Sequence, residues 1–339
     1  MSVVTCGGAL LLPQVANASC AVGQSDRLLL WCAIERGQDG IIHPADGADF
    51  HAATVREGYL DQNAGTYGTA YVTPTLAYSG NINGGNPTGV LELGDFRFHP
   101  DESYEKTEGW LLGGAIGAQR RQSVGPGRYL DFAGGVSAAY APAHETSVNS
   151  AFFVGCSKNH MADWWYADAC YSAWAHKKEL SEGVQQQLAF EVSKAFSSAT
   201  NHHHLASIGI REEFDENDSQ TQLTTSILTV HSKNFASYVG FALGEEVEGG
   251  ALAPRTEVEV GLMTVLRDRS IELSVEYEEL AGGRVLGFDR EDDAWSIRAS
   301  VELTKSLSLD VGYSEVTSSI DYYSGGTPLI ALRFEPYAF

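Results

Sequence analysis

From about Tyr67 to the C-terminus, apolar residues recur at every second position. Trp295, Ile297, Ala299, Val301 and Leu303 alternate with Ser296, Arg298, Ser300 and Glu302. Ile271, Leu273, Val275 and Tyr277 alternate with Glu272, Ser274, Glu276 and Glu278, and Leu307, Leu309, Val311 and Tyr313 with Ser308, Asp310, Gly312 and Ser314. A helix would scatter such residues around a cylinder, whereas a strand sorts them onto two faces. About fourteen such segments follow one another, most about 12–15 residues long. Strands of a soluble sheet usually run five or six residues. The greater length suits a tilted strand that crosses a bilayer and projects beyond it.

The connections alternate as well. Ser123–Pro126, Lys158–Ala162, Ser198–Asn201, Lys233–Asn234, Arg269 and Ser306 read as tight turns. Gly80–Glu108, Glu248–Pro254, Gly283–Glu291 and Ser319–Gly325 read as longer loops rich in Gly, Asp and Glu. Short periplasmic turns and longer outer loops are what a transmembrane barrel requires. The fold expected is therefore all-β: an antiparallel up-and-down barrel of about 14 strands over 66–339, in a bacterial outer membrane. The terminal Tyr337-Ala338-Phe339 suits the aromatic insertion signal read by barrel-insertion machinery, with Tyr337 and Phe339 as its rings. A bulge at Glu335-Pro336 would bring them onto the face of Ile330, Leu332 and Phe334.

No apolar stretch approaches the roughly 18–20 residues of a membrane helix; the longest is Leu28–Ile34. The first 18 residues read as the remnant of a secretory signal, with Ala16-Asn17-Ala18 as an A-x-A cleavage pattern and Ser19 as the mature start. Asn17 stands where a lipobox needs an aliphatic residue, which argues against lipidation of Cys20. Residues 19–65 form a short N-terminal periplasmic segment, too short for a second domain. In it Leu28–Ile34 reads as a strand or a short helix, and the Gly/Asp-rich Gln38–Ala53 as loop. Such a segment would plug or brace the periplasmic mouth.

Beyond Cys6 the cysteines form two local pairs, Cys20/Cys32 and Cys156/Cys170, candidates for disulfides in an exported chain. A turn centred near residue 160 would set Cys156 opposite residue 164; the bridge to Cys170 requires a turn centred nearer 163. Trp110, Trp164, Trp165, Tyr166, Trp174 and Trp295 suit interface girdles or plain outward packing.

Asp and Glu total 44 against 22 Lys and Arg, a net charge of −22. Phosphate backbones would be repelled, which argues against nucleic acid as a partner. Glu272, Glu276, Glu278, Glu302, Glu259, Glu191, Asp131 and Asp310 all fall opposite the apolar row, with Arg298 and Arg267 as nearby bases and Lys194 on the apolar side. An open lumen lined this way prefers cations; a closed one must pair these groups, since unpaired buried charge is costly. The acidic set for the lumen is Glu272, Glu276, Glu278, Glu302 and Asp310.

Hydrolase, phosphate-loop and zinc-protease motifs are all missing, so no catalytic residue, cofactor or metal is expected. His202-His203-His204 cannot turn all three rings to one ion, because strand neighbours point to opposite sides. Asp215 to Asp218 and Asp289 to Asp293 carry enough oxygens for calcium, and equally suit a solvated loop.

The stretch Tyr71–Gly85, YVTPTLAYSGNINGG, with its Tyr-x-x-Asn-x-Asn exit at Tyr78, Asn81 and Asn83, resembles the opening of the C-terminal barrel of surface lipoprotein assembly modifiers. In this chain Ser79-Gly80 replaces the family's acidic residue before the first Asn. The resemblance implies a fourteen-strand barrel that aids export of surface lipoproteins, with a surface lipoprotein and a periplasmic helical-repeat protein as partners besides outer-membrane lipid. It implies no catalytic residues. A passive, cation-preferring channel for small solutes is the alternative that the residues themselves support.

Overall fold

The computed structural model describes residues 25–38, 44–59, 66–198, 202–214, 218–232, 234–247, 251–267, 269–334 and 337–338. Fourteen long strands follow one another: β1 (Tyr67–Ser79), β2 (Gly109–Gly125), β3 (Arg128–Ala141), β4 (Thr146–His160), β5 (Trp165–Lys177), β6 (Glu182–Ser197) and β7 (His203–Phe214). The second half comprises β8 (Ser219–Ser232), β9 (Phe235–Gly244), β10 (Ala253–Leu266), β11 (Arg269–Val285), β12 (Phe288–Thr304), β13 (Leu307–Ser318) and β14 (Gly325–Phe334). Each pairs antiparallel with its sequence neighbours, and β14 pairs with β1, so the sheet closes on itself. The register against β1 moves from Thr75↔Arg333 to Val72↔Tyr337, three residues on one strand against four on the other. Phe339 and residues 335–336 lie outside the described residues, as do the signal remnant and Cys20.

Closure makes the two faces unequal. Cross-strand rows such as Val260↔Val275↔Ile297↔Tyr313 and Leu262↔Leu273↔Ala299↔Val311 lie on the outside. Their large members are exposed, Val275 to 44% and Tyr313 to 40%. The alternate rows carry Glu, Ser and Arg inward. An apolar exterior around a charged interior inverts a soluble protein, and a closed barrel leaves no unpaired edge in lipid. The chain is a membrane-spanning barrel of outer-membrane type.

The short turns gather at one end, the periplasmic end of such a barrel. Two helices, α1 (Asp26–Gln38) and α2 (Pro44–Arg56), occupy that end. The apolar run Leu28–Ile34 thus falls within a helix. The loop reading of Gln38–Ala53 is corrected: much of it is α2, which packs on α1 and whose last residue, Arg56, accepts from Arg121 of the barrel wall through its carbonyl. The reading of Gly283–Glu291 as a loop is also corrected. β11 and β12 continue to a two-residue turn at Leu286–Gly287, both with positive φ, 50° and 89°. Consecutive left-handed residues match the twist of a hairpin, so the strands extend well past the bilayer.

Candidate functional site: a charged lumen narrowed at both mouths

The lumen has two unlike walls. On β1–β4 the inward positions towards the middle of the strands carry small or neutral residues, among them Thr73, Thr75, Ala115, Gly117, Gly135 and Ser137, and nearer the periplasmic end the paired Arg121 and Asp131. On β6, β7, β10 and β11 they carry Glu191, Glu213, Glu257, Glu259, Glu272, Glu276 and Glu278. Glu257 stands directly opposite Glu278, and Glu259 opposite Glu276. Like charges so placed repel. Two arginines answer them. Arg211 lies 2.8 Å from Glu257 and 3.3 Å from Glu213, and also bonds Gln222; Arg298 projects inward from β12, two residues from Ser296, which donates to Glu276 at 3.3 Å. A recess of about 250 Å³ in this wall is lined by Glu259, Glu272, Tyr238 and Ser274.

Each residue singled out above has a definite place. Glu272, Glu276 and Glu278 share the inner face of β11. Glu302 lies towards the periplasmic turn and accepts from the Ser270 N–H at 3.1 Å. Asp310 pairs with Arg333 at 2.6 Å. Asp131 pairs with Arg121 at 2.5 Å. Lys194 faces outward, 4.8 Å over the Trp165 ring. Sequence parity missed Glu213, Glu257 and Arg211, although Glu257 shares the parity of Glu259 two positions on.

Cys156 and Cys170 are opposite each other across β4 and β5 and form a disulfide. The turn is centred at 163, since Asp163 and Trp164 both take positive φ, 48° and 63°. Cys32 is disulfide-bonded too; its expected partner, Cys20, lies outside the described residues. Outward or girdle packing holds for Trp110, Trp165 and Trp295, which are exposed on the exterior. It is corrected for three others. Trp164 packs edge-on against Trp31 of α1, Tyr166 is fully buried beneath Arg27, and Trp174 points inward to donate to Gln185 at 3.0 Å. The three histidines split as alternation requires: His203 turns inward beside Glu35, while His204 turns outward to Thr229. His202 stacks edge-on with His231. Asp289, Asp292 and Asp293 separate to Arg284, Arg290 and Tyr277 respectively; Asp215–Asn217 lie outside the described residues.

The two helices narrow the periplasmic mouth from within. Arg27 of α1, 7% exposed, grips Asp168 of β5 with two bonds of 2.7 and 2.8 Å and lies 3.3 Å from Glu57. Glu57 accepts from the Tyr129 hydroxyl of β3 at 3.1 Å. Arg56 pairs with Asp26 at 2.7 Å, and its carbonyl accepts from Arg121. Further along α1, Trp31 donates to Ser197 at 2.7 Å and Glu35 meets Ser197 and His203. Leu28 is buried against Val230 and Ala236, with Leu205 and Met263 around them. The helices therefore touch the inner wall from β2 round to β10.

The outer mouth is crossed by the β1–β2 loop. Asn81 and Asn83, the two Asn of the Tyr-x-x-Asn-x-Asn stretch, tie its start to Gly84, Gly85, Glu105 and Thr107. Beside them the loop meets the β5–β6 turn, where Lys178 donates to the Asn81 carbonyl at 2.8 Å and Leu180 to that of Asn83. Further on, a small hairpin buries Leu91 and Leu93 against Ile320 and Tyr322 of the β13–β14 loop. The two attachment points stand six strands apart one way round the barrel and eight the other. The loop thus spans the mouth.

No protein-family model matches the chain, and no curated protein matches it in sequence. Among solved structures it is similar to OprB of Pseudomonas putida, at 8% identity and a TM-score of 0.44, over 87% of this chain and 97% of that one. It is similar to OccAB3 of Acinetobacter baumannii at 6% and 0.44, over 80% and 99%. A BenF-like porin of Pseudomonas fluorescens Pf-5 stands at 6% and 0.41, over 83% and 100%. Likeness at this level carries nothing about what the barrel does.

Proposed function

We propose that the chain is a passive outer-membrane channel for small solutes, with a preference for cations. The supporting observation is the face-to-face placement of Glu257 with Glu278 and of Glu259 with Glu276. In a dry interior these four facing carboxylates, with Arg211 and Arg298 as the cations beside them, would be untenable. In a watery lumen the same set concentrates cations and excludes anions. The helices at one mouth and the loop at the other narrow the path, which suits small solutes. The export reading drawn from Tyr71–Gly85 has no comparable support, because its two asparagines are occupied in holding the β1–β2 loop.

The test is single-channel recording of the refolded chain across a potassium chloride gradient. The reversal potential should take the sign of the cation. An anion-selective pore would overturn the preference. Silence both in the wild type and in a variant lacking the N-terminal helix contacts would overturn the channel reading itself.

A further inference from the structure

On the lipid-facing side the barrel is not smooth. A furrow of about 620 Å³ crosses the outside of β1–β5. Its floor is made where outward positions carry almost no side chain: Gly114 on β2, Ala138 on β3, Ala151 on β4 and Ala175 on β5. Gly114 pairs with Ala138, and Ala151 with Ala175, so the gaps lie side by side across adjacent strands. On the periplasmic side the floor is flanked by Ile116 and Val136, exposed to 57% and 52%. On the other side stand Leu112 and Tyr140, which pair with each other in the next outward row.

The furrow has a direction and a polar end. The row Gly114↔Ala138↔Asn149↔Lys177 runs straight across four strands. Lys177 is the last residue of β5 before an extracellular turn, Asn149 lies three residues inside the extracellular end of β4, and Gly114 five inside that of β2. The furrow therefore descends from a cation at the outer surface into the apolar band. Lys177 has an ion-pair partner, Glu182, at 3.2 Å, but both side chains are more than 70% exposed. Such a pair contributes little and exchanges readily.

We infer that this furrow seats one acyl chain of a phosphorylated outer-leaflet lipid, with the lipid phosphate on Lys177 and Asn149. Charge complementarity selects that occupant: the chain as a whole is strongly acidic, yet the one charged side chain lining the furrow is a lysine at headgroup height. An apolar trough with a cation at its outer end matches an anionic headgroup above a hydrocarbon tail. The inference needs only the membrane-spanning barrel and is independent of what passes through it.

The experiment is native mass spectrometry of the refolded full chain in detergent, titrated with diphosphorylated lipid A and, separately, with its dephosphorylated form. One diphosphorylated lipid should stay bound at collision energies that strip the dephosphorylated one. Lys177→Gln should weaken diphosphorylated binding about fivefold, the effect of roughly 1 kcal/mol for one lysine near a charged membrane surface, and leave the other lipid unchanged. Ala138→Leu with Ala151→Leu fills the trough with side chains that a bilayer tolerates. It should abolish retention while heat-modifiable migration shows the barrel intact; should that pair fail to fold, Ala138→Leu alone is the test. Equal retention of both lipids, or retention surviving the filled trough, would overturn the assignment. A dimer of the chain that disappears with Ala138→Leu would overturn it in favour of a second copy.

Discussion

Arg27 ties the N-terminal helices to the barrel wall at the periplasmic mouth. It satisfies Asp168 with two bonds, faces Glu57, and stacks 4.2 Å over Tyr166. Arg27→Ala would leave two inward carboxylates without their cation, and breaking a buried pair this way costs roughly 3–5 kcal/mol. The barrel has its own hydrogen-bonded ladder, so the loss should fall on helix docking. Arg27→Ala should conduct more, and be open for longer, than the wild type in planar bilayers, with unchanged heat-modifiable migration. Glu57 adds a pH dependence. Burial pushes its carboxyl above the usual carboxylate range, with the Arg27 charge partly opposing this. The docked helices therefore hold a proton on Glu57 more tightly than the undocked ones. Acid favours docking; the contribution is complete below the ordinary Glu value of about 4.3 and is lost as pH rises through the docked value. Wild-type conductance should accordingly fall on acidification, and Glu57→Gln should flatten the response; a response unchanged in that variant would place the sensor elsewhere. At this scale the sequence is only partly informative. Strand parity assigns Glu272, Glu276 and Glu278 to one face because alternation is local. Nothing local assigns Arg27, whose partners lie 30 and 141 residues away.

Alternation also decides what each strand tolerates. Ala299 and Val301 share the outer rows with Leu273, Val311, Ile271 and Leu309, whereas Ser300 sits inside between Glu272 and Asp310. Arginine at 299 or 301 should impair membrane insertion, at roughly 2–4 kcal/mol near the bilayer midplane. Arginine at 300 should be accepted, since it gains two carboxylate neighbours. Refolding yield into vesicles is the measurement, and equal yields for the two faces would invert the assignment. The strands were legible because period two survives any tertiary context. Connections were less so. The disulfide depended on where one turn is centred, and that is set by left-handed backbone at Asp163 and Trp164, neither of them glycine. Composition gave no warning of it. The second helix was hidden for a different reason: the Gly and Asp of its first half suggest loop, and its stability comes from packing on α1 and from the Arg56–Asp26 pair.

For the whole molecule the decisive property is asymmetry. The chain places most of its inward carboxylates on β6, β7, β10 and β11, across from the small and neutral positions of β1–β4, and narrows both mouths. Fold class could be read from periodicity alone, but a period says which way a side chain points and not which charges meet across the lumen. Glu259 and Glu276 meet because the β10–β11 register pairs them. Each also has a second acidic neighbour, Glu257 and Glu278, in the adjacent inward row. A negative potential built this way acts over about the Debye length, near 10 Å at 0.1 M salt and about 3 Å at 1 M. Cation preference should therefore be strong in dilute salt and fade as salt is added. Glu259→Gln with Glu276→Gln removes two charges while keeping shape and hydrogen-bonding capacity, and relieves their mutual repulsion, so the barrel should be at least as stable. In dilute salt the reversal potential of this double variant should move towards zero. At high salt, wild type and variant should converge, because screening has already removed most of the field. Glu272 shares the recess with Glu259 but lies four residues from Glu276 along β11 and faces no carboxylate across the ladder, so Glu272→Gln should produce a smaller change of the same sign. If the double variant matched the wild type at every salt concentration, these carboxylates would not line the path, and the solute route would lie against the neutral wall of β1–β4.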